Sequence, residues 1–385
     1  MFPELLFWIS IILIFYAYFG YPLVIVLLSF FAKTTKDKQP ITPTVSLLIT
    51  AYNEEKDIER KLQNSLSLDY PKDKFEIVVA SDGSTDATDA IVRRYEHNSA
   101  GIKLLLYRVE GRVGKTAAQN AAVPICNGEI IVFSDAASMY DRGAIRALVR
   151  NYADPEIGAV SGRCIYINRA DASAGLGTII FATLESFIKT RQTKIKTITG
   201  CTGCIYSLRK ALYTPLPARI ISDLVEPLTI IQRGYRIAFE PAAIAYEQTA
   251  GRAKEEFAMR IRVIVRGMTG MIFVRSLFNP FKYPYVSYQL ISHKILRWLV
   301  PIFSLLLLAS NTFLTGRHEI FLGVLLAQLL FYLLALVGFV LEKKQIHLKI
   351  FYLPLYFCIV NLASLISMFE VLRNKNIVTW HPQRQ

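Results

Sequence analysis

The sequence predicts an α/β domain built on a mainly parallel sheet, with α-helical membrane-spanning segments attached to it. Strand and helix patterns alternate from residue 45 to residue 134, two apolar strand patterns run straight into an aspartate, and four long apolar segments flank the polar middle of the chain. Such alternation buries a mainly parallel sheet between helices, with right-handed crossovers.

The elements follow in order. Residues 33–44 are polar and carry Pro40 and Pro43, which marks a linker. Strand patterns run from Val45 to Thr50, Phe75 to Ser81, Ile102 to Tyr107 and Glu129 to Ser134. Helix patterns lie between or after them, from Glu54 to Leu66, Thr85 to His97 and Lys115 to Ile125. Beyond that the pattern loosens into a helix at Ala144 to Tyr152, a strand at Gly158 to Tyr166 and a long amphipathic helix from Ala172 to Lys194. There is no internal repeat and no low-complexity tract.

The chain has 385 residues and is 53% hydrophobic, enough for a full domain and a membrane module. Leu5 to Ala32, Leu299 to Gly316, Ile320 to Leu341 and Ile350 to Phe369 contain no acid, Lys or Arg, and each approaches the length that crosses a bilayer. The first has no basic stretch before it and no small-x-small site near its end, so it reads as an uncleaved anchor rather than a signal peptide. Lys33, Lys36 and Lys38 follow it, which places residues 33 to about 295 in the cytoplasm and the protein in the cell (inner) membrane as a multi-pass protein. Lys343, Lys344 and Lys349 agree with a cytoplasmic loop, whereas four crossings put Arg373, Lys375 and Arg384 outside, against the same rule. The expected division is an anchor at 1–32, a linker at 33–44, a cytoplasmic domain at 45–250, basic interfacial helices at 251–298, three spans within 299–372 and a tail at 373–385.

The net charge of +14 raises nucleic acid as a partner. Nine basic residues crowd between Arg252 and Arg297 against Glu255 and Glu256, in an aromatic stretch just before a span. That placement suits an interfacial helix on anionic lipid headgroups, and no nucleic-acid partner is expected. Five cysteines give no disulfide framework, and Cys201-x-x-Cys204 lacks a second pair, so small residues in a Gly/Thr loop explain it better than zinc or redox chemistry.

Ligands of parallel sheets sit at the carboxyl ends of the strands, and several of these strands end in candidate chemistry. The first delivers Ala51-Tyr52-Asn53-Glu54, whose aromatic face and carboxylate suit a base and ribose; a helix N-terminus capped by Asn53 explains the acids but not Tyr52. The second delivers Asp82-Gly83-Ser84-Thr85-Asp86, where Gly83 permits a tight turn and the next three residues can cap a helix. Gly111-Arg112-Val113-Gly114-Lys115-Thr116 lacks the Walker pattern, because Val109 stands where the first glycine is needed. Lys115 at a helix start still suits a phosphate. Asp135 supplies one carboxylate where a metal–diphosphate site favours two.

Tyr52-Asn53-Glu54, Asp82-Gly83-Ser84-Thr85-Asp86, Gly114-Lys115-Thr116-Ala117-Ala118-Gln119-Asn120 and Phe133-Ser134-Asp135, in this order and spacing, resemble the nucleotide-sugar half of the family 2 glycosyltransferases. The membrane-embedded branch that includes cellulose, hyaluronan and poly-N-acetylglucosamine synthases is the most similar, down to the ending Thr379-Trp380-His381-Pro382. The resemblance implies a GT-A fold and inverting transfer from a nucleoside-diphosphate sugar, usually a UDP-sugar, to a growing polysaccharide or a lipid-linked acceptor. Ala51, Tyr52, Glu54 and Asp82 would then hold the nucleoside with Lys115 nearby, and Asp135 would meet the ribose and the diphosphate-bound metal, Mg or Mn. Ile221-Ser222-Asp223-Leu224 matches the motif of the general base, Asp223. Gly200, Cys201, Thr202 and Gly203, with Arg209, match the acceptor-side loop. Outside that resemblance, Asp223 reads as an N-cap of a helix from Val225 to Arg233.

Two departures stand out. Ala137 replaces the second acid of the family's Asp-x-Asp. The Gln-x-x-Arg-Trp of processive synthases is missing, and Met259-Arg260-Ile261-Arg262 with Val265-Arg266-Gly267 stands in its place, so Arg262 or Arg266 would face a diphosphate or lipid. Membrane lipids and export or assembly subunits are the further partners expected. The other reading is a catalytically silent nucleotide-sugar-binding or assembly subunit, motivated by Ala137.

Overall fold

The computed structural model describes residues 2–32, 38–99, 101–167, 173–249, 253–344, 346, 348–374 and 378. Lys33, Lys36, Arg252, Lys375, Arg384 and the Thr379–Pro382 ending lie outside them.

Three strands form the middle of the domain: β1 (Val45–Ala51), β2 (Phe75–Ser81) and β4 (Ile130–Asp135), with β3 (Lys103–Arg108) outside β2. Their apolar runs are buried on both faces, as expected for parallel strands with helices on either side. All pair in parallel, in the order β3-β2-β1-β4. The register sets Ala51 opposite Ser81 and Thr50 opposite Asp135, so Ala51, Asp82 and Asp135 emerge along one edge of the sheet.

Past β4 the sheet is mixed. Its full order continues through β7 (Ile205–Arg209), β6 (Ile157–Ile167), β8 (Arg236–Gln248) and β5 (Met139–Tyr140). β7 runs antiparallel to both β4 and β6, while β6 and β8 are parallel. The alternation rule did not disclose β7 and β8. β7 is five residues long, and β8 contains Glu240-Pro241, at which its register with β6 shifts between Gly162 and Arg163.

Among the described residues, four helices are long and apolar enough to cross a membrane: Phe2–Phe30, Pro284–Thr312, Glu319–Lys343 and Lys349–Leu372. Phe7, Leu307, Leu314 and Phe321 join the first three in one apolar cluster. The second begins before the expected Leu299 and takes in Gln289, His293, Lys294 and Arg297. The helix Ala253–Phe273 reaches the sheet domain through Arg266 and packs on the last apolar helix through Ala253, Leu355 and Ile359. The backbone N–H of Ala253 donates to Glu342 at 2.8 Å, tying its start to the end of the third apolar helix. The Ser367 hydroxyl donates to the Ile261 carbonyl, and Ser364 to the Trp298 carbonyl. Beyond that last helix, a Cβ built on Gly114 would lie 2.5 Å from the Val378 carbonyl oxygen.

Candidate active site

The loops after β1 and β2 are clasped together. Asn53 adopts φ +52°, its amide oxygen accepts from the Thr85 N–H at 2.8 Å, and its own N–H donates to the Ser84 hydroxyl. The left-handed backbone is one that Asn tolerates better than most residues. The Glu54 N–H donates to Thr88 Oγ1, and Glu55 and Asp86 exchange bonds with backbone N–H groups of the opposite loop. Asn53 therefore does not cap a helix. The helices start late, at Ile58 and Thr88, because residues 52–57 and 82–87 are spent on this clasp. Asp86 does serve a helix start, accepting from the Thr88 N–H and hydroxyl.

Asp82 is fully buried and accepts from the backbone N–H groups of Val113 and Gly114 at 2.8 and 3.0 Å. Burial pushes its carboxyl above the ordinary range, while those two N–H groups and Arg112 pull it back. A Cβ on Gly83, which has φ +69°, would meet the Gly111 carbonyl oxygen at 2.2 Å, so only glycine lets the two loops close. The Arg112 guanidinium lies 4.0 Å from the centre of the Tyr52 ring. Its Nε and Nη2 are buried with no hydrogen-bond partner among the described residues. Sequence reasoning passed over Arg112 once the Walker pattern had failed.

Gly114, at φ +91°, opens the helix Lys115–Ala122. The Lys115 ammonium donates to Asp135 Oδ1 and reaches the Gly203 carbonyl at 3.4 Å. Burial alone would lower this amine, but Asp135 and Asp223 outweigh it and hold it above its ordinary value.

Asp223 faces the same space from the opposite wall. The helix there starts at Ser222 after Ile221, so Asp223 occupies its first turn and caps nothing, contrary to the N-cap reading. Its Oδ1 is buried with no hydrogen-bond partner among the described residues. Burial raises its pKa; Lys115 opposes the rise, Asp135 adds to it, and Arg266 and Lys189 oppose it. The loop Gly200, Cys201, Thr202 and Gly203 packs on it: the Cys201 N–H donates to the Asp223 carbonyl at 2.9 Å. Thr202 is held by Ser161 and by the Lys189 ammonium, 3.0 Å away. Arg209 stands apart, opposite Ile130 at the far end of β7, where it donates to the carbonyls of Tyr152, Asp154 and Ile157.

One turn after Asp223, the fully buried Glu226 accepts from the Tyr206 hydroxyl at 2.8 Å, and burial pushes it up to about 8. Arg266 reaches in from the helix Ala253–Phe273 and donates to Thr116 Oγ1 and to the carbonyls of Ala218 and Ile220. Burial lowers its guanidinium to about 10, against the pull of Asp223. Arg262, one turn earlier, is lowered by burial and drawn the other way by Asp135. Glu226 and Lys189 had no sequence signal beyond helical spacing, since nothing local marks a buried acid on an apolar helix or a lysine on a long amphipathic one.

The arrangement has Tyr52 and Asp82 on one wall, the Lys115 cation and the Asp135 carboxylate at its floor, and the raised carboxylate of Asp223 opposite. Positive groups near the floor suit an anionic leaving group, and an unpartnered carboxylate suits proton abstraction.

Residues 46–214 match the model of the family described as Glycosyl transferase family 2. Over 230 residues the chain is 31% identical to the probable glycosyltransferase YdaM of Bacillus subtilis, covering 57% of this chain and 54% of that protein. It is 27% identical over 207 residues to the poly-beta-1,6-N-acetyl-D-glucosamine synthase of Staphylococcus aureus, covering 52% of this chain and 49% of the relative. The chain thus spans about half the length of these relatives. A mannosyltransferase from Pyrobaculum calidifontis, solved in complex with GDP-Man and Mn2+, superposes with a TM-score of 0.71 at 23% identity, over 96% of this chain and 99% of that one, and has the same fold.

Proposed function

We propose, from the match of residues 46–214 to the Glycosyl transferase family 2 model, that this chain moves a sugar with inversion from a nucleoside-diphosphate donor to a polysaccharide or lipid-linked acceptor at the membrane. The observation that carries the reading is Asp223: a buried carboxylate with one oxygen unpartnered among the described residues, facing Lys115 and Asp135 across the crevice. In the proposed reaction Asp223 takes the proton of the acceptor hydroxyl as that oxygen attacks the anomeric carbon. The glycosidic bond to the diphosphate breaks on the opposite face, and the leaving charge falls among Lys115, Arg262 and Arg266. Tyr52, Asp82 and Arg112 hold the nucleoside end. By the family resemblance a UDP-sugar is the proposed donor, and polymer extension is proposed over single addition.

The donor set fits a divalent ion sparingly. Asp135 would hold it, Ala137 offers no ligand, and phosphate oxygens and water would complete the shell, as a hard cation accepts. Such an ion neutralises charge on the departing diphosphate. Lys115 would yield its contact with Asp135 when donor and metal enter together.

Three crossings, rather than four, support the placement of the whole site on one side. Glu342 at the end of the third apolar helix bonds Ala253, and Val378 beyond the last one abuts Gly114, so both ends of Lys349–Leu372 stand at the sheet domain. A helix that crossed the bilayer would separate them. With Lys349–Leu372 lying along the interface, Lys38, Lys343, Lys344, Lys349 and Arg373 share one side, which the charge rule makes cytoplasmic.

The test is to incubate the purified chain with UDP- and GDP-linked sugars and a membrane extract, and to weigh the product. Release of nucleoside diphosphate with the sugar found in polymer or glycolipid supports the reading. Binding of a donor without release from any of them favours the silent subunit that Ala137 suggests.

A further inference from the structure

In the core near Asp135 three side chains converge, only one of them from the C-x-x-C motif. Cys164 on β6, Cys204 at the start of β7 and Glu247 near the end of β8 place their Sγ and carboxylate oxygen atoms within 4.8 Å of one another. Both cysteines are buried, and the apolar core surrounds them. Cys204 has therefore turned away from Cys201, its neighbour in the C-x-x-C, and toward a cysteine 40 residues earlier in the chain.

We propose that Cys164, Cys204 and Glu247 hold one thiophilic divalent cation, with zinc the ion their chemistry selects. Two thiolates and a carboxylate form a donor set that zinc takes in tetrahedral sites, at about 2.3 Å from sulfur and 2.0–2.2 Å from oxygen. Thiolate ligands exclude magnesium, so this site is distinct from the oxygen-lined diphosphate site. The buried Lys61 ammonium faces Cys204, Asp135 and Glu247, and donates to the Ser138 carbonyl at 2.5 Å. The Ser138 hydroxyl donates to Glu247, as a metal-bound carboxylate is commonly held by a second residue. Binding releases the two thiol protons to solvent and changes no oxidation state.

The consequence reaches the crevice. Cys204 follows Gly203, whose carbonyl receives Lys115, and its own carbonyl accepts from Tyr140 at 2.9 Å. A cation at this point pins the acceptor-side loop to β6 and β8, and positions Gly203 against Asp223.

The experiment is metal analysis of the purified full chain grown in zinc-supplemented medium, with Cys164→Ser, Glu247→Gln, Asp135→Asn and Cys126→Ser beside it. The expected result is about one zinc per chain, retained by Asp135→Asn and Cys126→Ser and lost or weakened at least tenfold by the other two. Cobalt should replace it with a thiolate-to-metal charge-transfer band. A wild-type chain that binds neither zinc nor cobalt, a Cys164–Cys204 disulfide in protein made in the cytoplasm, or full zinc in Cys164→Ser overturns the proposal. Should Cys164→Ser fail to fold, the wild-type stoichiometry and Glu247→Gln decide it. Loss of zinc in Asp135→Asn also overturns it, because it assigns the ion to the diphosphate site.

Discussion

Gly203 and Asp223 are packed so closely that a Cβ on the glycine would stand 2.5 Å from Asp223 Oδ2. The flanking backbone is equally fixed, with the Cys201 N–H on the Asp223 carbonyl and Lys115 on the Gly203 carbonyl. Gly203→Ala must therefore displace either the carboxylate or the loop. Overpacking of this kind costs about 1–3 kcal/mol, and a shift near 1 Å in a reacting group costs about 10²-fold in rate. The expected outcome is a folded protein with donor affinity intact and turnover reduced by about that factor, read by thermal unfolding and steady-state kinetics.

In the proposed reaction Lys115 and Arg112 act on the donor, not on the acceptor proton. Lys115→Ala leaves Asp135 without its cation and removes a charge-assisted contact to the diphosphate, so donor Kd should rise about tenfold or more by calorimetry. Arg112→Ala takes the guanidinium off the Tyr52 ring and removes its buried Nε and Nη2, which have no hydrogen-bond partner among the described residues. It should weaken nucleotide binding by a factor of a few and leave the rate at saturating donor unchanged.

Glu226 gives the fold a pH signature. Its carboxyl ordinarily titrates at 4.5 and burial lifts it to about 8, so the folded chain holds a proton that the unfolded chain gives up. Its contribution to stability is present in full below pH 4.5 and is lost as pH rises through about 8, at up to about 1.4 kcal/mol per pH unit. Glu226→Gln keeps an acceptor for Tyr206 and should flatten this part of the profile. Denaturant midpoints across pH 5 to 9 check it.

The last apolar helix bears on topology. Cysteine labelling of a residue added after Gln385 should proceed from the cytoplasmic face and fail from outside in intact cells. Labelling from outside would restore four crossings and detach Val378 from Gly114.

The central strands and the two strand-end aspartates were legible in the sequence because parallel strands buried on both faces read as unbroken apolar runs. β8 was not, since Glu240 interrupts it; that carboxylate is buried only because Lys38, Arg150 and Asn151 reach it from elsewhere in the chain. The same distance hid Glu226, Lys189 and Arg112, whose surroundings come from residues far apart in sequence. Asn53 illustrates the limit of local rules: its composition reads as a helix cap, but the 82–88 loop claims it first. Arg209 shows the reverse, a residue drawn into the site by motif position and held by tertiary contacts at the opposite end of its strand.

The role of Asp223 as the proton acceptor is tested most directly by comparing nucleoside diphosphate release by the wild-type chain and Asp223→Asn at saturating donor, with donor affinity measured alongside. Loss of a general base costs about 10²–10⁴-fold, so the variant should bind donor normally and turn over slower by that range. The wild-type rate should also rise with pH along a limb set above the ordinary aspartate value, because burial raises Asp223. An Asp223→Asn chain that releases nucleoside diphosphate as fast as the wild type would contradict the account.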